Sequence, residues 1–253
     1  MSPFLLLDYN PKMKVGPAEK QRGVGVHPHK GFETVTFAFH GKVAHHDSAG
    51  HAGVINEGDA QWMTAASGVL HKEYYEEEFN RQGGDFQMVQ LWVNLPAKDK
   101  SAKPKYQTLI GDKMGTYTLP EKTGTVKVYG GNYKGVKGGA KTFTNVQLFV
   151  FHLEEGATEN FELPEKDNTS LLVIEGSAEI NGQLANLNQL VLFKNEGSEM
   201  SIQAKEKTTL LLMSGTPIDE PIAAYGPFVM NTYNEIDHAF REFSSGKYGH
   251  LED

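Results

Sequence analysis

Seven of the ten histidines fall before residue 72, and two of them, His27 and His29, stand two apart in VHPHKGFETVTFAFHG, with Glu33 four residues on. Successive side chains of a β-strand point to opposite faces, so positions two apart share one. Read as strand, the segment puts His27, His29 and Glu33 on one side, continued by Val35, Phe37 and Phe39, an apolar run of the kind that lines a small barrel. Imidazoles turned into an apolar interior need polar partners. A divalent cation, held at about 2.0–2.2 Å, is a partner that several of them can share. The segment TAASGVLHKEYYEEE offers a matching pair: His71 and Glu73 are two apart, and Gly68 permits a tight entry into their strand. Three imidazoles and one carboxylate suit iron, copper, nickel or zinc, and leave two positions of an octahedron for water, dioxygen or substrate. Glu33 has a second role open to it, as hydrogen-bond acceptor for a ligand histidine. His40, His45, His46 and His51 flank the polar hairpin HHDSAGH and read as surface residues near a turn. Glu76, Glu77 and Glu78 read as a solvated loop.

The elements that would carry these residues are strands. Alternating apolar runs recur at FETVTFAFHG, KVAHHDS, QMVQLWVNL, TVKVYGG, NVQLFVFHL, TSLLVIEG, SAEING, QLVLFK and TTLLLMSG, separated by Gly, Asn and Asp. There are too many for one sandwich. The run TVTFAFHG before VINEGDAQWM is echoed by SLLVIEG before AEINGQLANLNQLVLF, which predicts a duplicated barrel. The Lys- and Pro-rich stretch PAKDKSAKPKYQTLIGDK reads as the connection, giving units over 1–112, metal-binding and including the linker, and 113–253. One helix is expected in TYNEIDHAFREF, where Thr232 and Glu235 have capping-box spacing and Ile236, Phe240 and Phe243 share a face. It is assigned to the outside of a barrel in the second unit.

Composition excludes several classes. The formal net charge of the 253 residues is -8, and the lysines of KDKSAKPK carry no interleaved aromatics, so direct nucleic-acid binding is not expected. There is no cysteine, which removes disulfides, thiolate metal sites and a cysteine nucleophile. The run Phe4-Leu5-Leu6-Leu7 is too short for a signal or a membrane span. No membrane association is expected, and cytoplasmic residence is the default.

The segments HPHKGFETVTF, EGDAQWMTAASGVLHKE, QLWVNL and YGPFVMNT together resemble the pirin family of the cupin superfamily, from about Pro3 to Gly249. The resemblance implies an all-β bicupin, two cupin-type barrels with a short C-terminal helix and the metal in the first barrel only. It implies His27, His29, His71 and Glu73 as metal ligands, the family using Glu73 where the general cupin pattern would use Glu33, which stays the fallback. Iron(II) is the implied metal, with copper, nickel, manganese and zinc as alternatives. The implied activity is that of a quercetin 2,3-dioxygenase (quercetinase), an oxidoreductase opening a flavonol ring with O2 at a mononuclear non-haem centre, with Glu73 also taking the substrate hydroxyl proton. Animal members are associated with transcriptional co-regulation, which implies the alternative of an iron-dependent redox-sensing regulator with a protein partner. A third reading is an isomerase or storage cupin. Aligning Gly176 with Gly41 sets Glu162 opposite His27 and Pro164 opposite His29, so the second barrel is expected to be metal-free.

Overall fold

A computed structural model describes residues 1–252 and shows a chain built almost wholly of antiparallel strands. Contacts divide it into two compact units, one of Met1–Pro3 with Lys113–Pro217, the other of Phe4–Asp112 with the chain from Ile218 onward. No helix among the described residues is long and apolar enough to cross a membrane.

The unit that holds the histidines has strands β1 (Phe4–Val15), β2 (Gly23–His29), β3 (Phe32–His40), β4 (Val43–Asp47), β5 (Ala52–Ile55), β6 (Ala60–Thr64), β7 (Val69–Tyr75), β8 (Gly84–Asn94) and β9 (Lys105–Leu109). They form a five-stranded sheet in the order β1-β8-β3-β6-β9 and a four-stranded sheet in the order β2-β7-β4-β5. The two sheets close over an apolar cluster to which both contribute: Ala38 and Phe86 from one, Val43 and Ile55 from the other. A helix, α1 (Glu77–Gln82), follows β7; the Glu76 carboxylate accepts from the backbone N–H groups of Glu78 and Phe79, so the acidic run expected as loop is a capped helix start.

Two expectations change here. The stretch 96–113 is not a free linker: Lys105–Leu109 is strand β9, paired along its whole length with β6, and Lys100 is 2% exposed. The C-terminal segment, expected with the second barrel, packs on the first. Its hairpin (Ala223–Tyr225 and Phe228–Met230) bridges Lys30 through Phe228, and helix α2 (Tyr233–Ser244) lays Ile236 and Ala239 against Phe228, Met230 and Leu70. Strand periodicity shows which residues need burial and is silent about which barrel buries them. The capping box at Thr232 and Glu235 is present as expected.

The other unit has a six-stranded sheet of Gly115–Thr118, Gly124–Gly130, Val146–Leu153, Thr208–Gly215, Asn168–Glu175 and Leu190–Leu192, in that order. A four-stranded sheet of Thr158–Glu162, Glu199–Ala204, Ala178–Ile180 and Gln183–Ala185 packs against it. Its interior is filled by Val126, Val128, Phe149, Phe151, Leu171, Leu210 and Leu212 from one sheet, and by Phe161, Ile180 and Ile202 from the other. At about 1.5–3 kcal/mol for each large apolar side chain buried, this filling is what holds the barrel together.

Candidate metal centre

The alternation expected to run unbroken from His27 through Phe39 is interrupted at Lys30 and Gly31. Gly31 adopts φ +88, and a Cβ there would stand 1.8 Å from the Val229 carbonyl oxygen, so only glycine fits this turn. Beyond it the chain enters the other sheet with its faces exchanged. Thr36 on β3 reaches Glu73 on β7, so Thr34, Thr36 and Ala38 face the barrel interior. Val35 and Phe37 are buried on the opposite face, together with Glu33, and do not line the histidine site.

Strand β7 is central to the four-stranded sheet, and its register assembles the site. His71 lies opposite His27 on β2 and opposite Asp47 on β4, while Glu73 lies opposite Val24 and His45. One nitrogen from each of His27, His29 and His71 falls within 4.8 Å of the others, and the ring centroids are 4.2–4.8 Å apart. Donors bound at about 2.1 Å to one ion in neighbouring octahedral positions stand about 3 Å apart, so small side-chain adjustments would bring the three onto one cation. Glu73 belongs to a second group, with His45 and His71. The four side chains expected as ligands are thus brought together as a triad plus a neighbour, joined through His71. Glu33 belongs to neither group.

Each imidazole is oriented. His27 Nδ1 lies 2.8 Å from the Gly25 carbonyl and His29 Nδ1 3.4 Å from that of Pro227, so each donates there and keeps its Nε2 lone pair free. His29 packs edge-on against the stacked pair Phe32 and Trp92, with ring centroids 5.0 and 5.2 Å away. Burial, with His27 beside it, lowers the His29 pKa to about 3, and burial lowers that of His71 well below the ordinary value. Both are therefore neutral near pH 7, the form that ligates metal. His71 Nε2 is buried and has no hydrogen-bond partner, an arrangement that a cation would satisfy.

Glu73 is positioned by three side chains from the opposing sheet. Gln61 Nε2 donates to Oε1, Gln90 Nε2 donates to Oε2 at 2.7 Å, and the Thr36 hydroxyl lies 3.4 Å from Oε1. The Tyr106 hydroxyl donates to Gln61 Oε1 at 3.0 Å, which fixes that amide's orientation. Glu73 and Gln90 line a cavity of ≈ 540 Å³, whose apolar wall includes Val43, Tyr75, Phe86 and Met88. That size lies within the range of about 300–1,000 Å³ usual for small-molecule sites.

Gln61, Gln90 and Thr36 escape sequence reading, although two glutamines inside apolar strands, in AQWMT and in VQLWV, are the signal that marks them. His45 is a correction. Read as a surface residue, it is fully buried, whereas His46, one position on, faces outward, and His51 keeps solvent contact. The strand alternates, and a count of histidines does not.

Residues 1–93 match the family described as Pirin, and residues 148–249 match the Pirin C-terminal cupin domain. The chain is 42% identical over 248 residues to the Pseudomonas aeruginosa protein named "Putative quercetin 2,3-dioxygenase PA2418", spanning 98% of this chain and 87% of that one. It is 35% identical over 256 residues to the Mus musculus protein named "Pirin", spanning 98% and 83% of the two chains. Among solved structures, that of quercetin 2,3-dioxygenase from Acinetobacter baumannii superposes with a TM-score of 0.94 at 43% identity, over 99% of this chain and 88% of that one.

Proposed function

Because the chain belongs to the pirin family and has its fold of two cupin-type barrels, we propose that it is a metal-dependent dioxygenase opening the central ring of a flavonol such as quercetin. The observation that carries this reading is the convergence of three buried or half-buried imidazoles beside a carboxylate that lines a cavity. His27, His29, His71 and Glu73 would hold the cation. Iron(II) is the expected occupant, and copper, nickel, manganese and zinc also accept such a donor set. When bound, the cation supplies Lewis acidity and a template that aligns the flavonol with dioxygen.

The chain's own residues do the rest. Of the two carboxylates that line the cavity, Asp8 and Glu73, Glu73 is the one grouped with the histidines, and it would accept the flavonol hydroxyl proton at a carboxylate oxygen. Gln61, Gln90 and Thr36 hold that carboxylate in place, so that it meets the hydroxyl without having to reorganise. Tyr75, Phe86 and Met88 exclude water and receive the aromatic rings.

The test is Glu73→Gln, assayed by loss of quercetin absorbance in air with metal content measured in the same samples. Metal content near that of the unsubstituted chain with turnover reduced about 10²–10⁴-fold supports the base assignment. Unchanged turnover removes it. Quercetin loss by the unsubstituted, metal-loaded chain that is no faster than with free metal sinks the dioxygenase reading.

A further inference from the structure

We propose that His45 is a positioning residue for the metal centre, acting through His71. The inference deepens the reading above and rests on His71 being a ligand. Three observations carry it.

The first is a chain of hydrogen bonds with one consistent direction. Asp47 is buried and accepts the backbone N–H groups of Ala49 and His51 at Oδ1, both at 2.9 Å, and the His51 ring at 2.9 Å on Oδ2. Burial alone would raise its pKa, but His45 and His51 beside it hold the carboxyl below its usual value. An ionised carboxylate only accepts. His45 Nε2, 3.3 Å from Asp47 Oδ2, is therefore the protonated nitrogen of its ring. His45 Nδ1 is then an acceptor, and it lies 3.4 Å from His71 Nδ1, which must donate. A proton on His71 Nδ1 leaves Nε2 bare, and Nε2 is the buried atom without a partner.

The second observation is that His45 cannot easily turn. Its ring stacks on Tyr106 with centroids 4.6 Å apart and planes 16° off parallel. The third is that the same tyrosine reaches Gln61, which holds Glu73. His45 thus sets the tautomer of one expected ligand and packs against the support of another. The group of His45, His71 and Glu73 is on this account a hydrogen-bonded support, because His45 spends both ring nitrogens, on Asp47 and on His71.

The test is whether the tautomer can be reversed. In Asp47→Asn the backbone donors keep the amide oxygen at the Oδ1 position, so the amide NH2 faces His45 Nε2. Every hydrogen bond then reverses: Nδ1 of His45 donates, and His71 carries its proton on Nε2, facing the cation. Imidazole 15N shifts of the metal-free protein should report His71 as the Nδ1–H form in the unsubstituted chain and the Nε2–H form in the variant. Cobalt(II) affinity should fall 10–100-fold. As a second pair, His45→Phe keeps the stack but removes the acceptor and should lose affinity similarly. His45→Gln, which can accept from His71 and donate to Asp47, should recover most of it. An unchanged tautomer with unchanged affinity in Asp47→Asn, or equal affinity in the Phe and Gln variants, overturns the proposal. If the unsubstituted chain shows the Nδ1–H form yet takes up no cobalt, the relay stands and the metal reading fails.

Discussion

Glu33→Gln separates the two carboxylates that the sequence offers as metal ligands, and its effect can be worked out in advance. Glu33 is fully buried on the sheet face opposite Thr36, with the Thr64 hydroxyl donating to Oε1 at 2.6 Å. Burial pushes its pKa from 4.5 up to about 7, against partial opposition from Thr64 and Trp62. The folded chain therefore binds a proton here that the unfolded chain has released between about pH 4.5 and 7. Over that window this group costs stability as pH rises, at about 1.36 kcal/mol per pH unit, or about 3 kcal/mol in all. Below 4.5 both states are protonated, and above 7 both are ionised, so the contribution is flat outside the window. Glutamine keeps the acceptor for Thr64 and does not titrate. Unfolding of the metal-free chain by urea, for both sequences from pH 4.5 to 8, gives a difference curve in which the histidines cancel. It should favour the variant increasingly up to about pH 7, with cobalt(II) affinity unchanged. A flat difference curve refutes the buried-acid account, and loss of metal from a folded variant makes Glu33 a ligand after all.

Lys100→Met should cost about 2–4 kcal/mol in urea unfolding, because Lys100 Nζ donates to the carbonyls of Gly31 and Val229 and to Asn94 Oδ1, and those acceptors lose a shared donor. Since Gly31 sets the turn after His29, the same variant should bind cobalt(II) more weakly; undiminished binding would show that the turn holds without Lys100. Burial keeps His29 at about 3 instead of 6.5, so the unfolded chain takes up the proton first and the metal-free fold loses stability as pH falls below about 6.5. His29→Gln should flatten that acid limb between pH 6.5 and 4, and an unaltered slope would contradict it. Thr232→Ala removes the α2 capping box and should cost about 1 kcal/mol, seen as faster amide exchange confined to α2 and its contacts. Exchange rising equally throughout the unit would show that α2 does not open separately.

How far the sequence could be read depended on whether the relevant physics was local. Runs such as NVQLFVFHL and TTLLLMSG are short, apolar and bounded by turn residues, and both lie within a residue of the strands Val146–Leu153 and Thr208–Gly215. Strand β1 is not legible in the sequence because FLLLDYNPKMKV carries charge, proline and an irregular register along an exposed edge, where alternation is weak. At the site, spacing identified His71 with Glu73 because both sit on one uninterrupted strand. It misplaced Glu33 because one glycine at positive φ moves the chain from one sheet to the other, and a two-residue period cannot register that change. Gln61, Gln90, Thr36 and Tyr106 come from β3, β6, β8 and β9, and their convergence on Glu73 is a property of sheet pairing alone.

The two barrels share a strand plan and differ in what fills them, and that difference explains why chemistry is expected in one of them. In the first, the interior near β7 holds a carboxylate, the amides and hydroxyl that satisfy it, and the imidazoles of His27, His29, His45 and His71. Such a network is tolerated inside a protein only when nearly every member is paired, so the buried and unpartnered Nε2 of His71 stands out. In the second, the facing sheets bury valine, leucine and phenylalanine, and the positions that the sequence echo sets opposite His27 and His29 are Glu162 and Pro164, both exposed. The Glu159 carboxylate turned into that interior already accepts from Tyr133 and Lys134, so a cation placed there would lose its hydration and gain little in exchange. Histidines at those two positions alone would point into solvent, with no third ligand and no acceptor to choose their tautomer. A metal centre in this fold therefore needs more than the H-x-H pair: it needs the turn at Gly31, the register that sets His71 opposite His27, and the buried polar residues behind them.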